Sequence, residues 1–411
     1  MTDARTPLSR ELTRRRFLQG SALTGTAAFL AACGTPPQSA GASASPGSAA
    51  PPSASASGSA GATPASSGTL RFANWIGYID VTEDGSSFPT IEKFQTETGI
   101  TVQYEDGAVD DNETFFTSDL QAPLEAGLAT EWDIVVVTDW MVARLARLGW
   151  LETIDTSLTP NFVANLADNY KGRSFDPDTN LAAPWQSGMT GLGFDKNKTG
   201  ALDSLEVLFS EQFKGQLTYL SEMRDTIGLS AIRLGSKPEE LTQEQFDAAL
   251  AEVDTAVKGG IVRQVTGNSY VEDMAGGGVI LAMAWSGDVL TLLVPDQKPD
   301  QDFQWVLPKE GGMLWTDNMV IPKGSPNKAQ AERWIDFYYE PQNAATIEAY
   351  VNYVCPVKGA KEVMLESDPD LAQNPLIFPP DDWVTRLHQF RATTADEEAA
   401  WSEAFTKAMG L

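Results

Sequence analysis

From Thr69 to the C-terminus, short apolar runs alternate with longer segments of helical period, and this alternation restricts the chain to an α/β architecture rather than a sandwich or a bundle. Leu70 to Trp75, Ile100 to Tyr104 and Trp132 to Val137 read as strands. Between the first two, Ile91 and Phe94 mark an apolar helix face, and Gly99 sits where a glycine ends a helix. Further strands are expected at Gly191 to Phe194, Gln216 to Leu220, Val279 to Trp285, Phe303 to Leu307 and Asn318 to Ile321. Ser325-Pro326 is a helix start, serine as cap and proline at the first position, leading into Trp334, Ile335, Phe337 and Tyr338. No internal repeat is visible, and the length suits two lobes better than one.

The segment before Thr69 has a different character. Thr13-Arg14-Arg15-Arg16-Phe17-Leu18 resembles the twin-arginine export signal, and the weakly apolar run to Ala32 is too short and too rich in Gly, Ser and Thr to span a bilayer. Leu30-Ala31-Ala32-Cys33 resembles the bacterial lipobox, in which cleavage exposes the cysteine for acylation, so Cys33 is the candidate lipidation site. Each buried acyl methylene contributes about 0.8 kcal/mol to such an anchor. Residues 34–68 are almost wholly Gly, Ala, Ser and Pro up to Ser67, and are expected to be a disordered tether between the signal, residues 1–33, and the folded part.

Charge and cysteine count exclude several functions. The chain carries a net charge of -27; residues 1–33 hold five basic and two acidic side chains, leaving 24 basic against 54 acidic, or -30. Nucleic acid is thereby excluded as a partner, because neutralising phosphates needs clustered Lys and Arg. The same field concentrates cations and also keeps an exported protein in solution. With Cys33 in the processing signal, Cys355 has no stable partner, and the single histidine, His388, has no neighbour to complete a triad or zinc site. No metal site and no cofactor are expected.

What chemistry remains lies in aromatic residues beside carboxylates at the ends of predicted strands, where open α/β sheets bind ligands. They are Asn74-Trp75 with Tyr78; Thr138-Asp139-Trp140; Glu222 and Asp225; Trp285-Ser286-Gly287-Asp288; and Trp315-Thr316-Asp317. Carboxylates pair with separated ammonium groups, and aromatic faces cover methylenes and attract cations at about 2 kcal/mol per desolvated contact. Strand-end tryptophans also serve as core or inter-lobe packing. Gly276-Gly277-Gly278 lacks the spacing and the lysine of a nucleotide loop and reads as a turn. Glu222 and Asp225 could be a glycosidase pair, but nothing else asks for catalysis.

These motifs resemble the spermidine- and putrescine-binding proteins of bacterial ABC importers. The entry strand Leu70 to Tyr78, with its Asn-Trp pair and following tyrosine, the segment Trp132 to Trp140, the stretch Gly215 to Thr226, Ala284-Trp285-Ser286-Gly287 and Pro308-Lys309-Glu310-Gly311-Gly312-Met313-Leu314-Trp315-Thr316-Asp317 match that family in order. The resemblance implies ligand contacts from Trp75, Tyr78, Thr138, Trp140, Glu222, Asp225, Trp285, Trp315 and Asp317, with Asp139 and Asp288 as additional carboxylates and no catalytic residue. It implies a two-lobed periplasmic-binding-protein fold of type II, lobe 1 from 69–183 and 309–411 and lobe 2 from 184–308, crossing near Ala182 to Gln186 and returning near Val306 to Gly311. Gly77 stands where an acidic residue is common in the family, and no counterpart of a pocket glutamine is evident near Trp383. The expectation is a monomeric lipoprotein, exported by the twin-arginine route and held by its lipid on the outer face of the membrane, that binds a polyamine and delivers it to permease subunits. A receptor for another small cationic or neutral solute, an enzyme and a structural lipoprotein are the alternatives.

Overall fold

The computed structural model describes residues 67–109, 111–290, 292 and 300–411; the segment expected to be an export signal, Cys33 and nearly all of the expected tether lie outside the described residues. Ten strands form one sheet in the order β2-β1-β3-β9-β4-β7-β5-β6, with β8 on β4 and β10 on β9. The strands are β1 Gly68–Trp75, β2 Ile100–Val109, β3 Ile134–Thr138, β4 Ala182–Asp195, β5 Leu217–Leu220, β6 Val262–Thr266, β7 Leu281–Trp285, β8 Phe303–Val306, β9 Gly312–Val320 and β10 Leu387–His388. β1 runs parallel to β2 and β3, and β5 parallel to β6 and β7, whereas β9 is antiparallel to both β3 and β4. The longer helices are α1 Pro89–Thr98, α2 Asp139–Leu148, α3 Met223–Arg233, α4 Gln243–Lys258, α5 Lys328–Tyr338, α6 Pro341–Val351 and α7 Ala395–Met409.

Two strands explain how one sheet serves two lobes. In β4, Ala183 and Trp185 are buried with the core around Phe72, Phe94 and Trp334, while Met189, Leu192 and Phe194 are buried with the core around Tyr219, Phe246 and Met283. In β9, Met313 and Leu314 belong to the second core and Met319 to the first. Fourteen consecutive buried residues in β4 are what a strand covered along its whole length requires, and they read as a continuous run rather than an alternating one. The return between cores is therefore made by β9, later than the Val306 to Gly311 segment suggested from sequence, which contains the end of β8 and the turn into β9.

Local chemistry explains most boundaries. Gly99 ends α1 at φ 71°, the left-handed conformation open to glycine, and Gly277 does the same after Tyr270–Gly276, so the triple glycine is a helix end and turn. α5 departs from expectation: it opens at Lys328 with Asn327 as N-cap, after a turn in which the Ser325 hydroxyl donates to Asp133 Oδ1 at 3.0 Å and accepts from the Asn327 N–H at 3.3 Å. Trp334, Ile335, Phe337 and Tyr338 are buried as the periodicity requires. His388 pairs through Nδ1 with Glu239 at 3.0 Å, and Cys355 is a buried free thiol. No helix of the described residues is long and apolar enough to cross a membrane, and no cluster of three metal-ligating side chains occurs among them.

Candidate functional site

The site grows from the point where β4 and β9 pass between the two cores. Gln186 stands directly opposite Asp317 in this antiparallel ladder, and Gly188 opposite Trp315. A Cβ on Gly188 would lie 2.1 Å from Trp315 Cζ2, so only glycine lets the indole lie flat over the strand. Asp317 is almost fully buried; Tyr78 Oη donates to its Oδ2 at 2.8 Å and Thr138 Oγ1 to its Oδ1 at 2.7 Å. Thr138 is itself held by Asn112, whose Nδ2 donates to the hydroxyl at 2.8 Å. Burial pushes the Asp317 carboxyl up to about 6, against the downward pull of the Thr138 and Tyr78 hydroxyls.

A second carboxylate is held from the other core. Asp225, in the first turn of α3, accepts from Thr190 Oγ1 at 2.7 Å and from Trp285 Nε1 at 2.7 Å. Burial, reinforced by nearby Glu222, pushes it up to about 7 although Trp285, Thr190 and Arg224 pull it down. Among the described residues no Lys or Arg lies within ion-pair distance of Asp225 or Asp317; Arg224 acts on Asp225 only from further off, being paired with Glu222 and Glu398. Aromatic rings connect them: Trp285 meets Trp315 edge-on at 6.4 Å, Trp315 meets Tyr353 at 5.4 Å, and Tyr353 meets Tyr78 at 5.8 Å.

The remaining sequence candidates have other partners, and Asp288 also accepts from the Tyr353 hydroxyl at 3.3 Å. Asp139 is spent on Arg173 at 2.7 Å and on Asn318 at 2.8 Å. Glu222 caps α3 and pairs with Arg224 at 3.2 Å. Asp288 accepts from Asn268 at 2.9 Å and from Tyr270 at 3.0 Å. Trp140 lies under two guanidinium groups, Arg224 at 4.1 Å and Arg144 at 5.1 Å from its ring centre, beside an open cavity of about 810 Å³ that Glu222 also lines. Trp75 is half-buried at the irregular end of β1, its indole N–H without an acceptor among the described residues. Gly77, in place of an acidic residue, has φ 66° in the tight turn between Trp75 and Tyr78.

Sequence reasoning missed Thr190, Gln186 and Tyr353. Thr190 and Gln186 lie inside one uniformly buried strand, where polarity in an apolar run is the only signal; Tyr353 follows a helix far along the chain from every partner. Gln186 is fully buried, and neither its amide nitrogen nor its oxygen finds a partner among the described residues. Such an orphaned amide is costly unless something else satisfies it.

Two buried acids joined by rings, where β4 and β9 pass between the cores of two α/β lobes, are the features of a solute-binding protein. The chain belongs to the bacterial extracellular solute-binding protein family, whose model matches residues 90–379. Its relatives include the spermidine/putrescine-binding periplasmic proteins of Salmonella typhimurium, 25% identical over 84% of this chain and 92% of theirs, and of Escherichia coli, 26% identical over 76% and 84%. Among solved structures, a spermidine/putrescine ABC transporter substrate-binding protein from Streptococcus pneumoniae superposes with a TM-score of 0.68 at 23% identity, covering 83% of this chain and 98% of that one. A Treponema pallidum lipoprotein gives a TM-score of 0.69 at 18% identity over 84% and 100%. The resemblance read from the motifs, and the two-lobed fold it implied, are borne out. The family is a component of transport and not of catalysis.

Proposed function

We propose that the chain is the polyamine receptor of an ABC importer, taking putrescine or spermidine in the cleft between its lobes and presenting the loaded, closed form to the permease. The observation that carries this reading is the pair Asp225 and Asp317. Each is buried, held by neutral donors and without a cation, and they are joined by the rings of Trp285, Trp315, Tyr353 and Tyr78. Two ammonium groups would complete the two carboxylates, and the methylenes between them would lie on the rings. The unpartnered amide of Gln186 and indole N–H of Trp315 supply further polar atoms for the ligand to engage. Tyr78, Thr138, Trp285, Trp315, Asp225 and Asp317 are the contacts we assign, with Trp75 beside them; Trp140, Glu222, Asp139 and Asp288 act through other side chains.

Within the same reading, residues 69–183 and 309–411 form lobe 1 and residues 184–308 form lobe 2, with one amendment. Trp401, Phe405 and Met409 of α7 are buried with the lobe 2 core, which favours placing the C-terminal helix there. Export by the twin-arginine route, acylation at Cys33, a tether over residues 34–68 and a monomeric receptor complete the proposal.

The test is a calorimetric titration of the protein with putrescine, spermidine and a neutral diol of similar length. Binding of either amine with no heat from the diol is the expected result. No heat from either amine would sink the polyamine assignment and turn the search to other small solutes.

A further inference from the structure

Away from the ring-lined site, three guanidinium groups gather on one acid. Glu398 of α7 is buried, and accepts from Arg144 at 2.9 Å and from Arg147 at 2.7 Å, both on α2; Arg224 of α3 lies 3.6 Å away. These groups do not share a lobe. α7 is fixed to lobe 2, where Trp401 stacks on Phe246 of α4 with ring centres 4.2 Å apart and 10° between planes, and its indole donates to Gln243 Oε1 at 2.7 Å. α2 belongs to lobe 1, with Met141, Val142 and Leu145 in the core around Val135 and Val137. Arg224, from lobe 2, covers the face of Trp140 from lobe 1 at 4.1 Å.

We propose that Glu398 and its three arginines form a clasp between the lobes, so that the closed form, and through it the hold on the solute, is set in part by positioning residues outside the solute site. Opening the cleft would part Glu398 from Arg144 and Arg147, and Arg224 from Trp140. The separated charges would not all be stranded. Arg144 keeps Glu113, 2.7 Å away on its own lobe, and Arg224 keeps Glu222 at 3.2 Å on its own. Both of these arginines thus retain a carboxylate in the open form, which suits a contact that must open and close. The clasp borders the open cavity of about 810 Å³, so salt reaches it and weakens it. Trp140 and Glu222 also find a role in it, since they carry the lobe-to-lobe contact through Arg224.

The full chain with Cys33→Ser, Leu128→Cys and Leu234→Cys, carrying a donor and an acceptor dye, reports lobe separation by energy transfer without any solute; the introduced positions are exposed and the native Cys355 is buried. Glu398→Gln is expected to lower the transfer, as is 1 M salt on the parent, and salt is expected to change the variant less. Arg147→Gln, on the opposite lobe, should lower it too. Unchanged transfer in both variants would overturn the clasp, and so would an effect of Glu398→Gln alone, since that would mark a local disturbance of α7. Circular dichroism checks that each variant is folded. In stopped-flow, putrescine should leave Glu398→Gln at least about fivefold faster than it leaves the parent. If the parent binds no putrescine, the proposed ligand fails while the solute-free energy transfer still decides the clasp.

Discussion

At the residue scale, the two buried acids differ from the other carboxylates only in what surrounds them. Asp139 directly follows Thr138, the residue that stands opposite Asp317 in the ladder of β3 and β9, yet Asp139 has Arg173 and Asp317 has only hydroxyls. Spacing along the chain cannot reveal that difference, because Arg173 comes from a loop distant in sequence. Asp317→Asn should weaken diamine binding by at least about 1.5 kcal/mol, the lower end for a hydrogen bond to a charged group. Calorimetry on the variant checks this, and unchanged affinity would remove Asp317 from the site.

At the element scale, β4 and β9 do most to position the site, and β4 is also where sequence reasoning saw least. Only Gly191 to Phe194 of its fourteen residues reads as a strand, because Pro184, Gln186, Ser187 and Gly188 are poor strand formers. They are there because the strand crosses between lobes: Ser187 bonds to the Trp315 carbonyl, and Gly188 clears space for that indole. Gly188→Ala must displace Trp315, so it should cost about 1–3 kcal/mol of stability by overpacking. It should also weaken solute binding beyond the effect of a comparable mutation in β2. Thermal unfolding together with titration separates the two losses; full affinity in a destabilised variant would exclude Trp315 as a contact.

At the scale of the whole molecule, the acids link stability to pH. In the folded chain Asp225 and Asp317 hold protons up to about 7 and about 6, whereas unfolded they would release them near 3.8. The folded state therefore binds more protons between about pH 4 and pH 7, and stability should fall as pH rises through that window. A cation in the cleft favours the ionised acids and opposes the fall, so the unfolding midpoint without solute should drop from pH 5 to pH 8 and recover on adding putrescine. A midpoint that climbs across that range would show that neither acid is protonated in the folded chain. The sequence by itself determined the α/β class, most strand positions, the two helices beside Gly99 and Ser325-Pro326 and the five motifs, because hydrophobic period, glycine caps and strand-end aromatics are local properties. Only the tertiary structure decided which acids have no cation within ion-pair distance, that Gln186 stands opposite Asp317 and Tyr353 meets Trp315, and that Glu398 of α7 meets Arg144 and Arg147 of α2, because each depends on partners brought together from distant parts of the chain.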